Sequence, residues 1–558
     1  MGDSPAENAG LSLLWQRSGI GHIDAHIACH SLAHSRDTGK NCLYQGECRE
    51  HPLNHPKDPM STTALTAADF ARELEQYQHR AYDDMRKVTV GLQETSNQAA
   101  IYDEYSHLFT QDQLGVLAQE RDAASGEDQE KSRRLWFETA AAVAERDLVH
   151  EGDALLNERL AWRTDFDGES VSYNALGALI ATEPDFDRRE RAYSLMVEAD
   201  KHFADRELDL MTRSQQIRAD VFGLDGEVAI ASARSGIDLD RFSAQVNAVC
   251  DATRDAFEQR AREIVPQLLG RSVDRPSRAH GPFMRSLHEF DDVFSSERLV
   301  DVCSQTMIDL GFPLDSIPTI LPDLEDRPLK DPRACVIPTK VPHEVHLVLR
   351  PTGGISDYQA FLHEAGHALH FGLTDAALPF EYRALSPDHA LTEIYSFIVE
   401  RITHCPSWHQ RHFGLDRAEA ERVCSLIRFI DAGLFRRYVA KLEFELGFWR
   451  DPTNSNHPQR YVELLSNATL NTYPPETFVS DMDPGLYSAD YLRAWRTSEQ
   501  VIAQLREQHG EDWYASGAVH EFLRDLFHQG TRPTNEQISE QIGSSPDNFD
   551  ALTHQMSA

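Results

Sequence analysis

Apolar positions recur at the spacing of an α-helix early in the chain. The first stripe comes shortly after Thr66. It consists of Phe70, Leu74, Tyr77 and Ala81, which are spaced at i, i+4, i+7 and i+11. Thr66 and Asp69 have the spacing of a capping box, with the shorter Asp in place of Glu. The pattern therefore predicts a helix that begins after Thr66.

The helical pattern continues to about residue 265. The stretch "RFSAQVNAVCDATRDAFEQRAREIV" places one more set of apolar side chains on a single stripe: Phe242, Val246, Val249, Phe257 and Ile264. Stripes of this kind are typical of helices packed on a core, more often than of ligand sites.

A different pattern appears near residue 317, where Pro and β-branched residues become frequent. The segments "ACVIP" and "EVHLVLR" are predicted to be short strands with a turn between them. Gly353 and Gly354 end the second strand, and Ser356 or Asp357 is expected to cap the next helix, which contains "HEAGHALH". Beyond it the chain is helical almost to its end, so we expect a mostly α fold with a small sheet.

Composition narrows the classes of function. The 558 residues are 41% hydrophobic, and no run of 18 apolar residues indicates a membrane span. A net charge of −36 argues against nucleic acid or an anionic membrane as the main partner, because phosphates would be repelled. Five cysteines scattered singly are expected to be buried free thiols. With no visible export signal, we expect a cytoplasmic protein.

Residues 1–59 differ from the rest of the chain. They contain clustered potential metal ligands: Cys29, His30, His34, Cys42, Cys48, His51 and His55. No tight C-x2-C pair occurs, so a disordered extension or a misassigned start is favoured over a small zinc module. Met60 opens a stretch that resembles a natural start. We therefore divide the remainder into a helical region, 60–240, and a catalytic region, 241–558.

The stretch "HEAGHALH" carries the candidate chemistry. Residues four apart lie on one face of a helix, so His363 and His367 can direct both imidazoles at one metal ion. Glu364 lies between them in sequence and reaches the same side at longer range. This geometry suits a general base that acts on a water molecule activated by zinc. The surrounding residues are small or apolar, as in a buried helix.

A catalytic zinc site needs a third protein ligand. The H-E-x-x-H-x-x-G-x-x-H pattern is excluded, because His370 and Leu373 stand where Gly and His would be required. Glu393 is the preferred ligand, since a carboxylate in so apolar a helix is costly without a cation.

Other polar residues near the site have lesser expected roles. Glu400 lies on the same helix face as Glu393 and could hydrogen-bond a ligand histidine. Asp388 and His389 are rival ligands, whereas His370 is expected to pack or hydrogen-bond nearby.

With these residues, the chain resembles the thimet oligopeptidase and oligoendopeptidase F family of zinc metallopeptidases, peptidase family M3. "HEAGHALH" followed by "LTEIYSFIVER" carries the resemblance most specifically. "DRPLKDPRACV" is similar to an R-x-x-K-x-x-x-A stretch, with Arg327, Lys330 and Ala334. "LFRRYVAKLEFELG" and "GLYSADYLRAW" are similar to later helices, the second with Tyr487 and Tyr491. The resemblance covers roughly residues 240 to 545.

The resemblance implies a mostly α, two-lobed, zincin-like fold with a deep channel and one zinc ion at its floor. It implies zinc ligands His363, His367 and Glu393, with Glu364 as general base. Tyr487 and Tyr491 match tyrosines that hold the substrate or stabilise the oxyanion, although two core tyrosines would give the same spacing. The expected substrates are short unstructured peptides, cut at internal bonds.

The chain also departs from the family pattern. A further tyrosine, three positions after the second one, is replaced by Ala494, and "FEYRALSPDH" stands where a glycine-rich loop is usual. An exo-acting metallopeptidase, dipeptidyl or metal carboxypeptidase, is the alternative; it would need a cation for the substrate carboxylate, such as Arg493 or Arg496. A non-catalytic peptide-binding scaffold is a third hypothesis. The sequence leaves the oligomeric state open and is compatible with a monomer.

Overall fold

The computed structural model describes residues 64–93, 97–325, 327, 330, 334–351 and 353–557. The hypotheses on residues 1–59 lie outside these ranges. The helices of the first part of the chain are α1 Ala67–Thr89, α2 Gln98–Glu104, α3 Gln111–Ala123, α4 Gly126–Glu145, α5 Val149–Ala161, α6 Tyr173–Thr182, α7 Phe186–Phe222, α8 Gly226–Ser235, α9 Leu239–Ala252, α10 Arg254–Leu269, α11 Gly281–Ser286 and α12 Ser296–Asp309.

The second part contains the helices α13 Ile355–Gly372, α14 Phe380–Arg383, α15 Ala390–Glu400, α16 Pro406–Phe413, α17 Arg417–Arg450, α18 His457–Thr469, α19 Tyr487–His509, α20 Gly517–His528, α21 Asn535–Gln541 and α22 Asp550–Ser557. The strands are β1 Arg163–Phe166, β2 Glu169–Ser172, β3 Ile320–Asp323, β4 Cys335–Lys340 and β5 Glu344–Val348. The expected mostly α fold with a small sheet is confirmed.

The first helix begins where its sequence predicts. Thr66 is the N-cap of α1, and its side chain accepts a hydrogen bond from the backbone N–H of Asp69. The predicted apolar stripe of α1 is buried throughout. The second predicted stripe is also buried. It spans two helices, because the helix is interrupted at Thr253, between α9 and α10.

Two small sheets form. β1 and β2 pair as an antiparallel hairpin whose two turn residues, Asp167 and Gly168, have φ of 56° and 88°. This left-handed pair is the turn that matches the twist of a two-residue hairpin. In the second sheet, of order β3-β5-β4, β3 runs parallel to β5 and β4 runs antiparallel to it. The two predicted strands are therefore confirmed, and β3 is an addition.

The second sheet lies beside α13. Strands β4 and β5 both pack against this helix. Lys330 forms hydrogen bonds to two segments of this sheet. Its Nζ donates to Asp323 Oδ1 at 2.7 Å and to the carbonyl oxygen of Leu349 at 3.0 Å. Lys330, the lysine of the R-x-x-K stretch, therefore links the end of β3 to the residue that follows β5.

The N-cap of α13 lies two residues before Ser356, the earlier of its two expected caps. It is Gly354, with φ +83° and no side-chain cap, so neither Ser356 nor Asp357 is the cap. Asp357 Oδ2 instead accepts a hydrogen bond from the backbone N–H of Gly353 at 2.7 Å. The carboxylate thereby fixes the loop that enters the helix.

A continuous apolar core joins α13, α15, α17 and α19. Cys250, Cys303, Cys335, Cys405 and Cys424 are buried and free, as expected. Within the described ranges, no helix combines the length and the apolar character needed to cross a membrane. The division at residue 240 stays a prediction.

Candidate metal centre

The candidate site is built where α13 crosses α15 at very short distance. Gly366, in the middle of "HEAGH", makes the crossing possible. A Cβ at this position would lie 2.5 Å from the carbonyl oxygen of Tyr395 and 2.6 Å from Cα of Ser396. No side chain fits there, so the glycine lets the backbone of α15 approach until Glu393 reaches the two histidines.

His363, His367 and Glu393 come together as the sequence predicts. One donor atom from each lies within 4.8 Å of the others, and all three residues are buried. Nε2 of His363 is 3.3 Å from Glu393 Oε2, and Nε2 of His367 is 3.7 Å from the same oxygen. Ligands bound tetrahedrally to zinc at 2.0–2.1 Å are separated by about 3.3–3.4 Å. The donor types and their spacing therefore fit zinc.

The charge around the donors also favours a cation. Burial alone would lower the pKa of His363, but hydrogen bonds and charges from Glu393 and Glu400 raise it well above its ordinary value. Two carboxylates thus face one imidazole in a buried place, which is stable only with a compensating positive charge. Glu364 is buried on α13 between the two histidines.

Glu400 holds the far side of His363. Its Oε2 lies 2.8 Å from His363 Nδ1, the role expected for it from the sequence. The other oxygen of Glu400 accepts a hydrogen bond from Arg401 at 2.9 Å. Arg401 is itself held by Glu499 and Asp431, at 3.0 and 3.2 Å. This buried chain of charges fixes the ring of His363 with Nε2 towards Glu393.

A hydrogen-bond relay holds His367. His370 Nε2 lies 3.0 Å from the carbonyl oxygen of Gly530, so a neutral His370 donates there and its Nδ1 must accept. The hydroxyl of Thr392, 3.3 Å from that nitrogen, is then the donor. The same hydroxyl, 2.8 Å from His367 Nδ1, accepts from it. The relay leaves the Nε2 lone pair of His367 towards Glu393, and His370 acts as a supporting residue.

Glu393 is held at both oxygens. Ser396 Oγ donates to Oε2 at 3.0 Å, and the hydroxyl of Tyr487 donates to Oε1. Burial and the charge of Glu393 raise the pKa of Tyr487 well above its ordinary value, so the phenol keeps its proton. Tyr487 therefore contacts a candidate ligand directly.

Tyr491 lies one turn further along α19 in an aromatic group. Its ring centroid is 4.9 Å from Tyr438, 4.9 Å from Phe397 and 5.6 Å from Tyr487. Burial and the charge of Glu393 also raise its pKa well above the ordinary value. Tyr491 is thus near the candidate site without contacting a ligand through its hydroxyl.

Several rival residues have other partners. Asp388, a rival ligand, accepts from Arg493 at 2.6 Å. His389 packs against the ring of Tyr487, with centroids 5.4 Å apart. Arg493 and Arg496, the cations considered for a substrate carboxylate, are buried and bonded to Glu536 and Asn535. Neither guanidinium is available to a substrate.

The supporting groups Thr392, Ser396, Arg401 and Tyr438 were not singled out from the sequence. Thr392 and Ser396 carry a detectable signal, because they are polar residues on either side of Glu393 in an otherwise apolar run. Arg401 and Tyr438 carry none, since their roles depend on which helices meet.

The structure resembles solved metallopeptidases over most of its length. Metallocarboxypeptidase 1 of Trypanosoma cruzi matches with a TM-score of 0.59 and 10% identity, over 88% of this chain and 97% of that chain. A carboxypeptidase of Pyrococcus furiosus, in an apo-Mg structure, matches with a TM-score of 0.58 and 11% identity, over 88% and 98%. A protein assigned as an oligoendopeptidase F matches with a TM-score of 0.58 and 17% identity, over 88% and 90%.

By sequence, no family model and no curated protein matches the chain. The structural likeness establishes the fold at low identity. The chain has the mostly α, zincin-like fold of helical metallopeptidases. The narrower resemblance to one peptidase family stays a prediction from the motifs.

Proposed function

We propose that this protein is a zinc-dependent oligopeptidase that hydrolyses internal bonds of short unstructured peptides. The observation that carries the proposal is the buried donor set of His363, His367 and Glu393, spaced for a tetrahedral metal, with Glu364 on the same helix. Two nitrogen donors and one carboxylate leave a fourth position for water or substrate. The shared fold with metallopeptidases supports the proposal.

The residues of the chain divide the reaction between them. Zinc, when bound, supplies the Lewis acidity that activates water and polarises the peptide carbonyl. Glu364 takes the proton of the attacking water and passes it to the leaving amine. Tyr491, which stays protonated, donates to the oxygen that becomes negative. Tyr487 holds Glu393 in its ligating orientation.

An exo-acting carboxypeptidase is the second candidate. Among the solved structures named above, two are described as carboxypeptidases and one as an oligoendopeptidase. The sequence-based candidates for a carboxylate-binding cation, Arg493 and Arg496, do not support this alternative, because both are buried among their own partners.

Mass spectrometry of products from defined peptides tests the proposal. The protein is incubated with peptides of 5 to 30 residues, before and after treatment with a zinc chelator and after zinc is restored. We expect internal cuts in the short peptides, lost on chelation and regained with zinc. Stepwise loss of C-terminal residues would favour the carboxypeptidase instead. Turnover that survives complete zinc removal would contradict both.

A further inference from the structure

A large cavity reaches the aromatic group beside the candidate metal centre, because Tyr438 is part of the cavity wall and stacks on Tyr491. Its volume is about 760 Å³, and α6, α7, α10, α11 and α17 contribute to its wall. The wall contains more arginine and lysine than aspartate and glutamate. This sign is opposite to the net charge of the chain, −36, so the cavity is a local basic region in an acidic protein.

Most of the basic groups in the wall are neutralised internally. Arg278 and Arg437 both hydrogen-bond to Asp481, which is buried between them. Lys441 donates to Asp483 at 2.6 Å. Their charges serve the wall itself and leave little attraction for a ligand.

Arg285 differs from these groups. It lies on α11, lines the cavity and is exposed towards it. Among the residues that the structure describes, no carboxylate forms an ion pair or a hydrogen bond with its guanidinium. Desolvation and the nearby charge of Arg437 lower its pKa below the ordinary value. A guanidinium that reaches a cavity beside other cations and has no carboxylate partner is available to an anionic ligand.

The position of Arg285 connects the cavity with the metal centre. Tyr438, in the cavity wall, stacks on Tyr491, and Tyr491 neighbours Tyr487, which donates to Glu393. Helix α11 also packs on α13. A peptide that lies along these tyrosines would therefore have one end at the candidate ligands and the other near Arg285.

We propose that Arg285 binds a carboxylate of the peptide substrate. A guanidinium binds a carboxylate through two parallel hydrogen bonds, and a short peptide always offers one such group at its C-terminus. An acidic side chain offers the same chemistry. The proposal rests on the proposed peptidase function, and it predicts that cleavage depends on the distance of the bond from that carboxylate.

The test compares matched substrates and matched variants. The substrate is an N-acetylated octapeptide without charged side chains, as free acid and as C-terminal amide; a second pair of amides carries one Glu or one Gln. The variants are Arg285→Gln, Arg285→Lys and the control Arg275→Gln. Arg275 lines the same cavity, is exposed and has no ion pair in the described part of the chain, so its loss changes the charge equally.

We expect the wild type to favour the free acid over the amide by about 10- to 100-fold in kcat/KM, the range of a charged hydrogen-bonded contact. Arg285→Gln should abolish the difference, and Arg285→Lys should retain part of it. Arg275→Gln should keep it. If both glutamine variants lose the preference equally, the general charge of the cavity is responsible and the proposal fails. A preference only within the Glu and Gln pair would identify a side-chain carboxylate as the ligand.

Binding separates this proposal from the proposed function. Calorimetry of the same peptides uses zinc-loaded Glu364→Gln protein, with and without Arg285→Gln. If Arg285→Gln weakens binding of the free acid by about 10- to 100-fold and leaves binding of the amide unchanged, the role of Arg285 is supported. This holds even if the wild type cuts no peptide, a result that would refute only the proposed peptidase function. Cleavage without discrimination between acid and amide would refute only the role of Arg285. Unchanged zinc content and melting temperature exclude misfolding of the variants.

Discussion

The carboxylate of Glu393 shows how single residues are fixed at this site. One oxygen faces the two imidazoles and accepts from Ser396, while the other accepts from Tyr487. Each histidine is held in turn at its far nitrogen, by Glu400 or by Thr392. Each donor atom therefore has an orientation before a metal binds, which lowers the entropic cost of binding.

Removal of the Tyr487 hydroxyl should act on the metal more than on the chemistry. In Tyr487→Phe, Glu393 loses the donor at Oε1, so we expect zinc affinity to fall about 10- to 100-fold. In Tyr491→Phe, zinc affinity should stay unchanged while kcat falls about 10- to 1000-fold. Chelator competition measures the first quantity and saturating-zinc kinetics the second. Equal zinc affinity in both variants would contradict the role given to Tyr487.

The Thr392 relay offers a matched pair of substitutions. Thr392→Val removes the hydroxyl that fixes the tautomer of His367, whereas Thr392→Ser keeps it. We expect zinc affinity to fall about 10-fold or more in the valine variant and to remain near wild type in the serine variant. The same competition assay measures both. A serine variant as weak as the valine variant would show that the methyl group, and not the hydroxyl, matters.

At the scale of elements, the site depends on how closely two helices approach. Glu393 could be predicted from sequence because a carboxylate in an apolar run requires a partner. The close crossing could not, since nothing local reveals that Tyr395 would lie against Gly366. The β1–β2 hairpin was missed although its Asp-Gly turn is a recognisable signal. Strand β3 was missed because a four-residue strand with a proline carries little periodicity.

Gly366→Ala should separate the two helices. The new methyl group would overlap the backbone of α15, so we expect the free energy of unfolding to fall by about 1–3 kcal/mol. Zinc affinity should fall too, because Glu393 moves away from the histidines. Gly447→Ala is the control: it lies in α17 with nothing within 4 Å of the added Cβ. That change should be neutral or should stabilise by about 0.4–1 kcal/mol. Denaturant unfolding compares the two, and equal effects would refute the tight crossing.

At the scale of the whole molecule, charge is distributed unevenly. The net charge of the chain is −36, yet Arg285 lines a basic cavity near the candidate metal centre. The sequence offered Arg493 and Arg496 as candidate cations for a substrate carboxylate, and the structure buries both. Composition reveals how many arginines exist, but only the packing of distant helices determines which of them line the cavity without an ion pair among the described residues. Cytoplasmic location stays a prediction.

The buried ion pair of Arg493 and Glu536 should make the stability of the protein depend on pH in acid. Burial alone would raise the pKa of Glu536, but the charge and hydrogen bonds of Arg493, with the charge of Arg496, lower it to about 2. A depressed pKa gives stability that is present above the unfolded value of about 4.3 and lost as pH falls towards 2. The free energy of unfolding of Glu536→Gln should therefore be lower than that of the wild type by roughly 2–3 kcal/mol at pH 7, and by much less at pH 2. Urea unfolding at several pH values measures this loss.

The exposed Glu263 provides the control for that experiment, since Glu263→Gln should leave the unfolding curve nearly unchanged at every pH. A Glu536→Gln variant with the same stability loss at pH 2 as at pH 7 would show that the pair does not control the acid transition.

The most direct test of the account is the hydrolysis rate of a short peptide by wild-type protein and by Glu364→Gln, with zinc per chain measured on the same samples. We predict one zinc ion in both proteins, turnover by the wild type, and a fall in kcat of about 10²- to 10⁴-fold in the variant. A wild type that contains one zinc ion per chain and cuts no peptide, or a variant as fast as the wild type, would contradict it.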